Sequence, residues 1–224
     1  MIAARPFDYP YDGKLEPKAT ALLVIDMQVF FLSSEGFAAL HGFDVSPLRA
    51  IIPNVRRLVD SARQAGLHVV WTRHGYRADL ADRTPYEAWR HERVHGRGAK
   101  VPLNLRGTPG FEIIPELPVR AGEPVIDKST AGAFCYTDLD AILRARSITH
   151  LMVCGCTTDV CVHTTLREAC DRNYQCALIE DGCASGDARA HESAIYMTTI
   201  EDGIWGVVTR TADVIDGLGR LRQG

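Results

Sequence analysis

The chain has 224 residues, a formal net charge of −3 and 46% hydrophobic residues, which is ordinary for a soluble globular protein. The weak negative charge gives no reason to expect nucleic acid or an anionic membrane as a partner. No hydrophobic run approaches the roughly 20 residues that cross a bilayer, and the N-terminal residues lack the hydrophobic core of a signal peptide. The seven cysteines are therefore expected to be reduced thiols in the cytoplasm, within a single domain that spans 1–224.

Hydrophobic runs alternate with amphipathic segments along the chain. Strands are predicted at 20–26, 67–72, 124–127, 149–154, 175–180 and 205–209, and helices at 47–65, 85–95, 137–146, 159–172, 187–201 and 211–219. Strands that are hydrophobic almost throughout, separated by helices, are typical of an α/β fold with a parallel sheet covered on both faces. Such sheets bind ligands beyond the carboxyl ends of their strands, so residues at those ends are candidates for a site.

A long polar excursion, 73–118, separates the second and third predicted strands. It contains the predicted helix 85–95 and a stretch rich in Gly and Pro at 96–110. Long ordered loops in compact domains often bind ligands or act as lids, whereas a solvated excursion or a subunit contact is the plainer alternative. The sequence leaves both roles open.

Three reactive side chains fall at or just beyond the ends of predicted parallel strands. Asp26 closes the first strand, Lys128 closes the third, and Cys161 follows the fourth at the start of a helix, after the turn at Gly155. The positive end of a helix dipole stabilises a thiolate, which is the reactive form of sulfur. An acid, a lysine and a cysteine that meet at one edge of the sheet would form a nucleophilic site.

The spacing gives less support to other chemistries. Structural zinc sites pair Cys-x2-4-Cys with a second, distant pair of ligands, and no such pair accompanies Cys154, Cys156 and Cys161. Residues two apart on a helix do not face each other, which makes His163 a poor base for Cys161. The first strand is followed by Asp-Met-Gln rather than by a glycine-rich phosphate loop, so no nucleotide or other cofactor is expected. Three histidines of the excursion stay open as bases or as surface residues: His74, His91 and His95.

The chain resembles the isochorismatase-like cysteine hydrolases over about 20–213. The resemblance is carried by Val24-Ile25-Asp26-Met27-Gln28, by Ile126-Asp127-Lys128 with Gly132-Ala133-Phe134, and by Gly155-Cys156-Thr157-Thr158-Asp159-Val160-Cys161-Val162. It implies a three-layer αβα sandwich with a six-stranded sheet, assembly as a homo-oligomer such as a dimer or tetramer, and a triad of Asp26, Lys128 and Cys161. It also implies a cis peptide bond at Cys156-Thr157, with the backbone N–H groups of Thr157 and Cys161 as an oxyanion hole.

Within that family, the flanking residues resemble the biuret and triuret hydrolases, through Pro10-Tyr11-Asp12-Gly13, His74-Gly75-Tyr76-Arg77-Ala78-Asp79-Leu80-Ala81-Asp82, Trp89-Arg90 and Gly110-Phe111-Glu112-Ile113-Ile114-Pro115-Glu116-Leu117. The Asp-x-His metal motif of nicotinamidases is missing, so no metal is expected. Glu201 stands where biuret hydrolases have a glutamine. It is either an acceptor for the terminal NH2 of a ureide or an ordinary charge at a helix end.

The resemblance implies that Asp26 accepts the proton of Cys161 and that the thiolate attacks a carbonyl of a small linear ureide. Phe31, just past the first predicted strand, is a candidate wall of the pocket. The alternative substrate is an anionic carbamoyl compound, ureidoacrylate or N-carbamoylsarcosine, whose carboxylate Arg73 and Arg77 could bind through bidentate contacts. A non-enzymatic thiol sensor or scaffold is the alternative of another class, suggested by the density of cysteines around Cys161.

Overall fold

A computed structural model describes residues 1–34, 36, 44–95 and 103–221. Within these residues, a sheet of six strands forms the centre of the molecule: β1 (Thr20–Ile25), β2 (His68–His74), β3 (Val125–Lys128), β4 (His150–Cys156), β5 (Gln175–Ala184) and β6 (Val207–Thr209). The strand order is β3-β2-β1-β4-β5-β6, and every neighbouring pair is parallel. The predicted parallel α/β architecture is confirmed, with strand limits that differ by a few residues.

Helices cover both faces of the sheet. They are α1 (Val29–Leu32), α2 (Ser46–Ala50), α3 (Ile52–Gln64), α4 (Pro85–His95), α5 (Leu139–Ala145), α6 (His163–Cys170), α7 (Ala188–Thr198) and α8 (Thr211–Leu221). Helices α3 and α8 pack against each other on one face, while α6 and α7 cover the other. The helix predicted at 47–65 is divided into α2 and α3, because Pro53 lies in the first turn of α3 and cannot donate a helical hydrogen bond. No helix among the described residues is both long and hydrophobic enough to span a bilayer.

The N-terminal segment protects one edge of the sheet. Arg5 and Val208 exchange two backbone hydrogen bonds, of 2.9 and 2.8 Å, in an antiparallel bridge to β6. Ile2 and Tyr9, which form a second bridge, are fully buried. The unpaired donors and acceptors of an edge strand would otherwise be free to pair with another chain.

The excursion between β2 and β3 is partly built into the body of the protein. It holds α4 and a 3-10 turn, Pro109–Phe111, and it buries Phe111, Ile114 and Leu117. The side chain of Gln28 fastens it to the end of β1: its Nε2 donates to the carbonyl of Phe111 at 2.8 Å. Part of the stretch rich in Gly and Pro, 96–102, lies outside the described residues. The described part of the excursion is therefore packed against the end of the sheet where a site is predicted.

Gly155 allows β4 to approach β1 closely at that end. Its φ is +118°, and a Cβ at this position would lie 2.1 Å from the carbonyl oxygen of Ile25. The register between β4 and β5 also shifts between Val153 and Gly155. The close approach occurs where the chain switches from building the sheet on one side of β1 to building it on the other, the position at which parallel sheets bind ligands.

Candidate active site

The sheet brings the three predicted reactive residues to one edge. Asp26 follows β1 directly, Lys128 is the last residue of β3, and Cys161 lies in a π-type turn, Thr158–Val162, which joins β4 to α6. Asp26 leaves the strand with a φ of 48°, a region that residues other than glycine rarely occupy. Strained backbone of this kind is found preferentially at functional sites.

Asp26 and Lys128 form a fully buried ion pair, with 2.7 Å between Lys128 Nζ and Asp26 Oδ2. Lys128 Nζ also donates to the carbonyl groups of Thr130 and Ala131 at 3.0 and 2.9 Å, and Thr72 Oγ1 donates to the other Asp26 oxygen at 2.5 Å. Burial alone would lower the pKa of Lys128, but the negative charge of Asp26, and that of the Cys161 sulfur when it is ionised, raise it above the ordinary value. The ammonium therefore stays charged, with the partners that a buried charge requires.

The thiol of Cys161 is protonated in the resting site. Burial raises its pKa to about 12, the Lys128 ammonium acts in the opposite direction, and the Asp26 carboxylate adds to the increase. This corrects the expectation that the start of a helix would stabilise a thiolate, because loss of hydration at this buried position outweighs the helix dipole. The sulfur can react as a thiolate only if a base removes its proton, and both Asp26 and Lys128 lie within hydrogen-bonding reach of it.

The backbone before Cys161 has the conformation that the resemblance implied, with a cis peptide bond at Cys156-Thr157. The carbonyl of Thr157 accepts hydrogen bonds from the N–H groups of Val160 and Val162, at 3.2 and 3.1 Å. Cys156 Sγ donates to the carbonyl of Asp26 at 3.2 Å and so connects this turn to the end of β1. In the described part of the chain, no three His, Cys, Asp or Glu side chains are arranged to hold a metal ion.

A cavity of about 430 Å³ has Cys161 and Thr157 in its wall, together with Phe31, which was predicted to lie there. This volume is typical of sites for small molecules. The remaining wall comes from the excursion, from the turn after β3 and from the segments around Phe31 and Cys161: Phe30, His74, Tyr76, Glu87, Arg90, His91, Leu103, Asn104, Ser129, Thr130, Ala131, Cys156 and Val160. The excursion therefore contributes to the site and is more than a solvated loop.

His74 and Asn104 give the cavity an uncharged polar wall. Burial, helped by the Lys128 charge, lowers the pKa of His74 to about 4, so its imidazole is neutral at physiological pH. The backbone of His74 is fixed by Gln28, whose Oε1 accepts from its N–H at 2.7 Å, and by Asn104 Nδ2, which donates to its carbonyl at 2.6 Å. Sequence reasoning left His74 open and missed Asn104, which no spacing or motif distinguishes. Gln28 did carry a signal, because it belongs to the segment on which the family resemblance rests.

Arg73 and Arg77, predicted to bind a carboxylate, are outside the wall of this cavity. Arg73 pairs with Asp127 and with Glu112, each at 2.9 Å. Arg77 pairs with Asp79 at 2.8 Å, in an exposed position. The structure therefore does not bring either guanidinium group into the cavity wall, because nearby carboxylates pair with both of them, and the predicted role of the two residues gains no support.

Glu201 is likewise not part of the cavity. It is exposed in a short turn, Ile200–Gly203, where Glu201 and Asp202 both have positive φ values. The turn follows α7 and places the carboxylate on the surface, so the predicted contact with substrate gains no support. Among the described residues, Arg90 is the arginine that lines the cavity, and His91 accompanies it on α4. The His95 side chain is outside the described part.

Comparison with known proteins identifies the family. The family model of the isochorismatase domain matches residues 20–213, which is most of the chain. The chain belongs to the isochorismatase family. This membership makes it an enzyme and removes the alternative of a non-enzymatic thiol sensor or scaffold.

Individual relatives refine the comparison. A ureidoacrylate amidohydrolase of Caulobacter segnis is 31% identical over 99% of this chain and 93% of its own length. The structure of a cysteine hydrolase from Pseudomonas syringae pv. phaseolicola superimposes with a TM-score of 0.79 at 28% identity, covering 92% of this chain and 95% of the other. An N-carbamoylsarcosine amidase from Thermoplasma acidophilum follows with a TM-score of 0.64 at 27% identity, covering 86% and 96%. Two of these relatives are named as a ureidoacrylate amidohydrolase and an N-carbamoylsarcosine amidase, and none of the three is named as a biuret or triuret hydrolase, so the expected biuret and triuret branch of the family is not confirmed.

Proposed function

We propose that this isochorismatase-family enzyme hydrolyses a C–N bond of a small ureido compound of the ureidoacrylate type, with Cys161 as the nucleophile. The proposal is carried by one observation: the thiol of Cys161 lies in the wall of a cavity and within reach of a buried Asp26–Lys128 ion pair. The names of the relatives supply the substrate class. No cofactor takes part in this chemistry.

In the first step, Asp26 accepts the proton of Cys161 as general base while Lys128 keeps the pair in place. The sulfur then forms a bond to the ureido carbonyl carbon. The nitrogen that leaves, as ammonia or an amine, takes the proton back from Asp26. Water, deprotonated by the same carboxylate, cleaves the S-acyl enzyme and restores the thiol. Each proton removed in one half of the cycle is returned in that half.

The negative charge that develops on the carbonyl oxygen needs donors, and we assign this role to the backbone N–H groups of Thr157 and Cys161. The π-type turn supports the assignment, because the Thr157 carbonyl takes its hydrogen bonds from Val160 and Val162 and not from Cys161. Losing one donor of an oxyanion hole typically lowers the rate by about 100- to 1,000-fold.

A neutral linear ureide, biuret or triuret, is the second candidate substrate. It is favoured by the uncharged polar wall, since neutral His74 and Asn104 can exchange hydrogen bonds with amide groups. One methylene or carbonyl more or less changes binding in a pocket by only a few kcal/mol, so related ureides are expected to compete.

A panel assay tests the proposal. Release of ammonia or carbamate is measured for ureidoacrylate, N-carbamoylsarcosine, biuret, triuret and nicotinamide, with wild type and the Cys161→Ala variant. We expect turnover of a ureido compound by wild type, at least 1,000-fold loss in the variant (about the effect of removing a nucleophile) and an unchanged circular dichroism spectrum. Cys135→Ala, which changes a free cysteine outside the cavity wall, is the matched control. An active Cys161→Ala enzyme would refute the mechanism.

Assembly and location stay predictions. The family resemblance implies a homodimer or homotetramer, and the composition suggests the cytoplasm. Exposed aromatic side chains on α4, Tyr86 and Trp89, stacked with 5.9 Å between ring centroids, are consistent with a contact between subunits. Light scattering coupled to size-exclusion chromatography measures the mass directly, and a mass of one 24.7 kDa chain would contradict the prediction.

A further inference from the structure

We propose that Arg90 binds the carboxylate of the substrate and so selects anionic ureido compounds over neutral ones. The inference rests on the proposed function and adds to it the residue that determines specificity and the orientation of the substrate. It replaces the role that the sequence had suggested for Arg73 and Arg77.

The first argument is that the Arg90 guanidinium lies in the cavity wall and that no carboxylate of the described residues forms an ion pair with it. Arg90 lies on α4, is exposed, and forms part of the same cavity wall as Cys161. No carboxylate of the described residues is within ion-pairing distance of it, whereas Arg73 and Arg77 are each held by carboxylates. A guanidinium group with free donors is suited to bidentate recognition of a carboxylate.

The second argument concerns Glu87, the acid that the cavity wall contains among the described residues. Its Oε2 accepts hydrogen bonds from the backbone N–H and from Oγ1 of Thr84, at 2.8 and 3.0 Å, and its own N–H donates to Thr84 Oγ1 at 3.2 Å. This reciprocal arrangement is a capping box at the start of α4. Glu87 is thus committed to the end of its own helix and leaves the Arg90 guanidinium for a ligand.

The third argument comes from the deeper wall, which is uncharged. Nδ1 of His74 and Oδ1 of Asn104 are buried and have no hydrogen-bond partner within the described structure. Buried polar atoms without partners are rare in proteins and often mark a position that a ligand occupies. A neutral imidazole and an amide match the N–H and C=O groups of a ureido moiety, but they offer no charge to a carboxylate.

Together, these positions orient the substrate. The ureido end enters toward Cys161, His74 and Asn104, and the carboxylate stays toward the exposed Arg90. In the opposite orientation, the carboxylate would be desolvated beside the Asp26 charge without a free cation, because Lys128 already uses its donors on Asp26, Thr130 and Ala131. An unpaired buried carboxylate is strongly unfavourable.

The test compares Arg90→Met with Arg93→Met. Arg93 is three residues further along α4, is exposed, and lies over the ring of Trp89 (5.6 Å to its centroid) rather than in the cavity wall. The two substrates are ureidoacrylate and its neutral primary amide. Arg90→Met should raise KM for ureidoacrylate by about 10- to 100-fold, the range for a charge-assisted contact, and should change kcat/KM for the amide by less than about threefold. Arg93→Met should leave both substrates unaffected.

The dependence of KM on salt concentration is a second measurement, and it would not change if Arg90 had only a structural role. Contacts between an exposed charge and an ion weaken as ionic strength rises. KM for ureidoacrylate should therefore increase with NaCl in wild type and in Arg93→Met, and should be nearly independent of NaCl in Arg90→Met. Arg90→Lys, which keeps the charge but not the planar fork, should fall between wild type and Arg90→Met.

The inference is overturned if Arg90→Met affects the acid and the amide equally, or neither. A binding experiment tests the role of Arg90 independently of whether the enzyme hydrolyses a ureide. Ureidoacrylate is titrated calorimetrically into Cys161→Ala and into the double variant with Arg90→Met. Binding that is lost with Arg90 supports the inference even if wild type hydrolyses no ureide, whereas equal binding or no binding refutes it.

Discussion

Replacing Asp26 by Asn should have opposite effects on turnover and on the resting reactivity of Cys161. Asp26 is the proposed base, so its loss should lower kcat by about 100- to 10,000-fold, the usual contribution of general base catalysis. The same carboxylate raises the pKa of the Cys161 thiol, whereas Lys128 lowers it. With an amide at position 26, the buried ammonium loses its carboxylate partner, 2.7 Å away, and a thiolate becomes the anion that can replace it.

The size of the second effect follows from the pKa of Cys161, about 12 in wild type. A charge in direct contact shifts a pKa by about 1–3 units, so the variant should have a more acidic thiol by that amount. At pH 8 the thiolate fraction then rises by about 10- to 1,000-fold. Part of this gain is lost because nucleophilicity falls with pKa, with a Brønsted coefficient of about 0.4–0.5. Alkylation of Cys161 should be about 3- to 60-fold faster in Asp26→Asn.

The assay is alkylation by iodoacetamide between pH 7 and 10, with peptide mass spectrometry to count modification at Cys161 alone. Asp127→Asn is the matched control, because Asp127 precedes Lys128 but pairs with Arg73 outside the cavity. Circular dichroism verifies that Asp26→Asn is folded at the assay temperature, since breaking a buried ion pair costs about 3–5 kcal/mol. If alkylation slows together with turnover, Asp26 generates the thiolate before substrate arrives and the reasoning is wrong.

Two further predictions concern stability. Gly155→Ala should lower the free energy of unfolding by about 2–5 kcal/mol in urea titrations, because the new Cβ would combine a positive φ with a contact of 2.1 Å to the Ile25 carbonyl oxygen. Gly66→Ala is the control: its φ is +76° but the space around it is open, so it should cost about 1–2 kcal/mol. Equal losses in the two variants would contradict the explanation. His74 has a pKa of about 4 in the folded protein, below its ordinary value, so the unfolded chain binds the extra proton and stability falls as pH decreases from about 6.5 to 4. His74→Gln should remove about 3 kcal/mol of that decrease, measured as the difference in unfolding free energy between pH 7 and pH 4, and an unchanged difference would rule out a neutral His74.

The positions of the main residues of the candidate site could be predicted, because these residues lie at or near the ends of strands. Hydrophobic runs give the strands, a parallel sheet aligns their carboxyl ends, and Asp26 and Lys128 each follow or close such a run. The position of the proposed nucleophile follows for the same reason, since Cys161 follows β4 after a short turn. The local sequence therefore predicts which residues lie at strand ends. The parallel arrangement of the strands then brings these residues together, although they are far apart in the chain.

The residue proposed to determine specificity, Arg90, could not be predicted in this way. Arg73 and Arg77 are as suitable for a carboxylate as Arg90 in sequence, and they differ from it in what surrounds them: carboxylates hold the first two, and none of the described residues holds the third. The packing of the excursion decides this outcome. The pairing of Arg73 with Asp127 joins residues 54 positions apart, which no local pattern encodes.

The prediction of a stabilised thiolate at Cys161 failed for a related reason. The sequence indicates that Cys161 lies at the start of a helix, but it does not show how deeply the sulfur is buried. The resulting arrangement has a consistent electrostatic logic. Before proton transfer, the Lys128 ammonium faces the Asp26 carboxylate and a neutral thiol; afterwards it faces a neutral acid and the Cys161 thiolate. The net charge of the buried group is the same in both states, and both anions stabilise the ammonium, since each raises its pKa. In the proposed mechanism, proton transfer from Cys161 to Asp26 therefore moves a negative charge around a fixed cation without changing the total charge that the core must hold, and this would let so deeply buried a thiol act as the nucleophile.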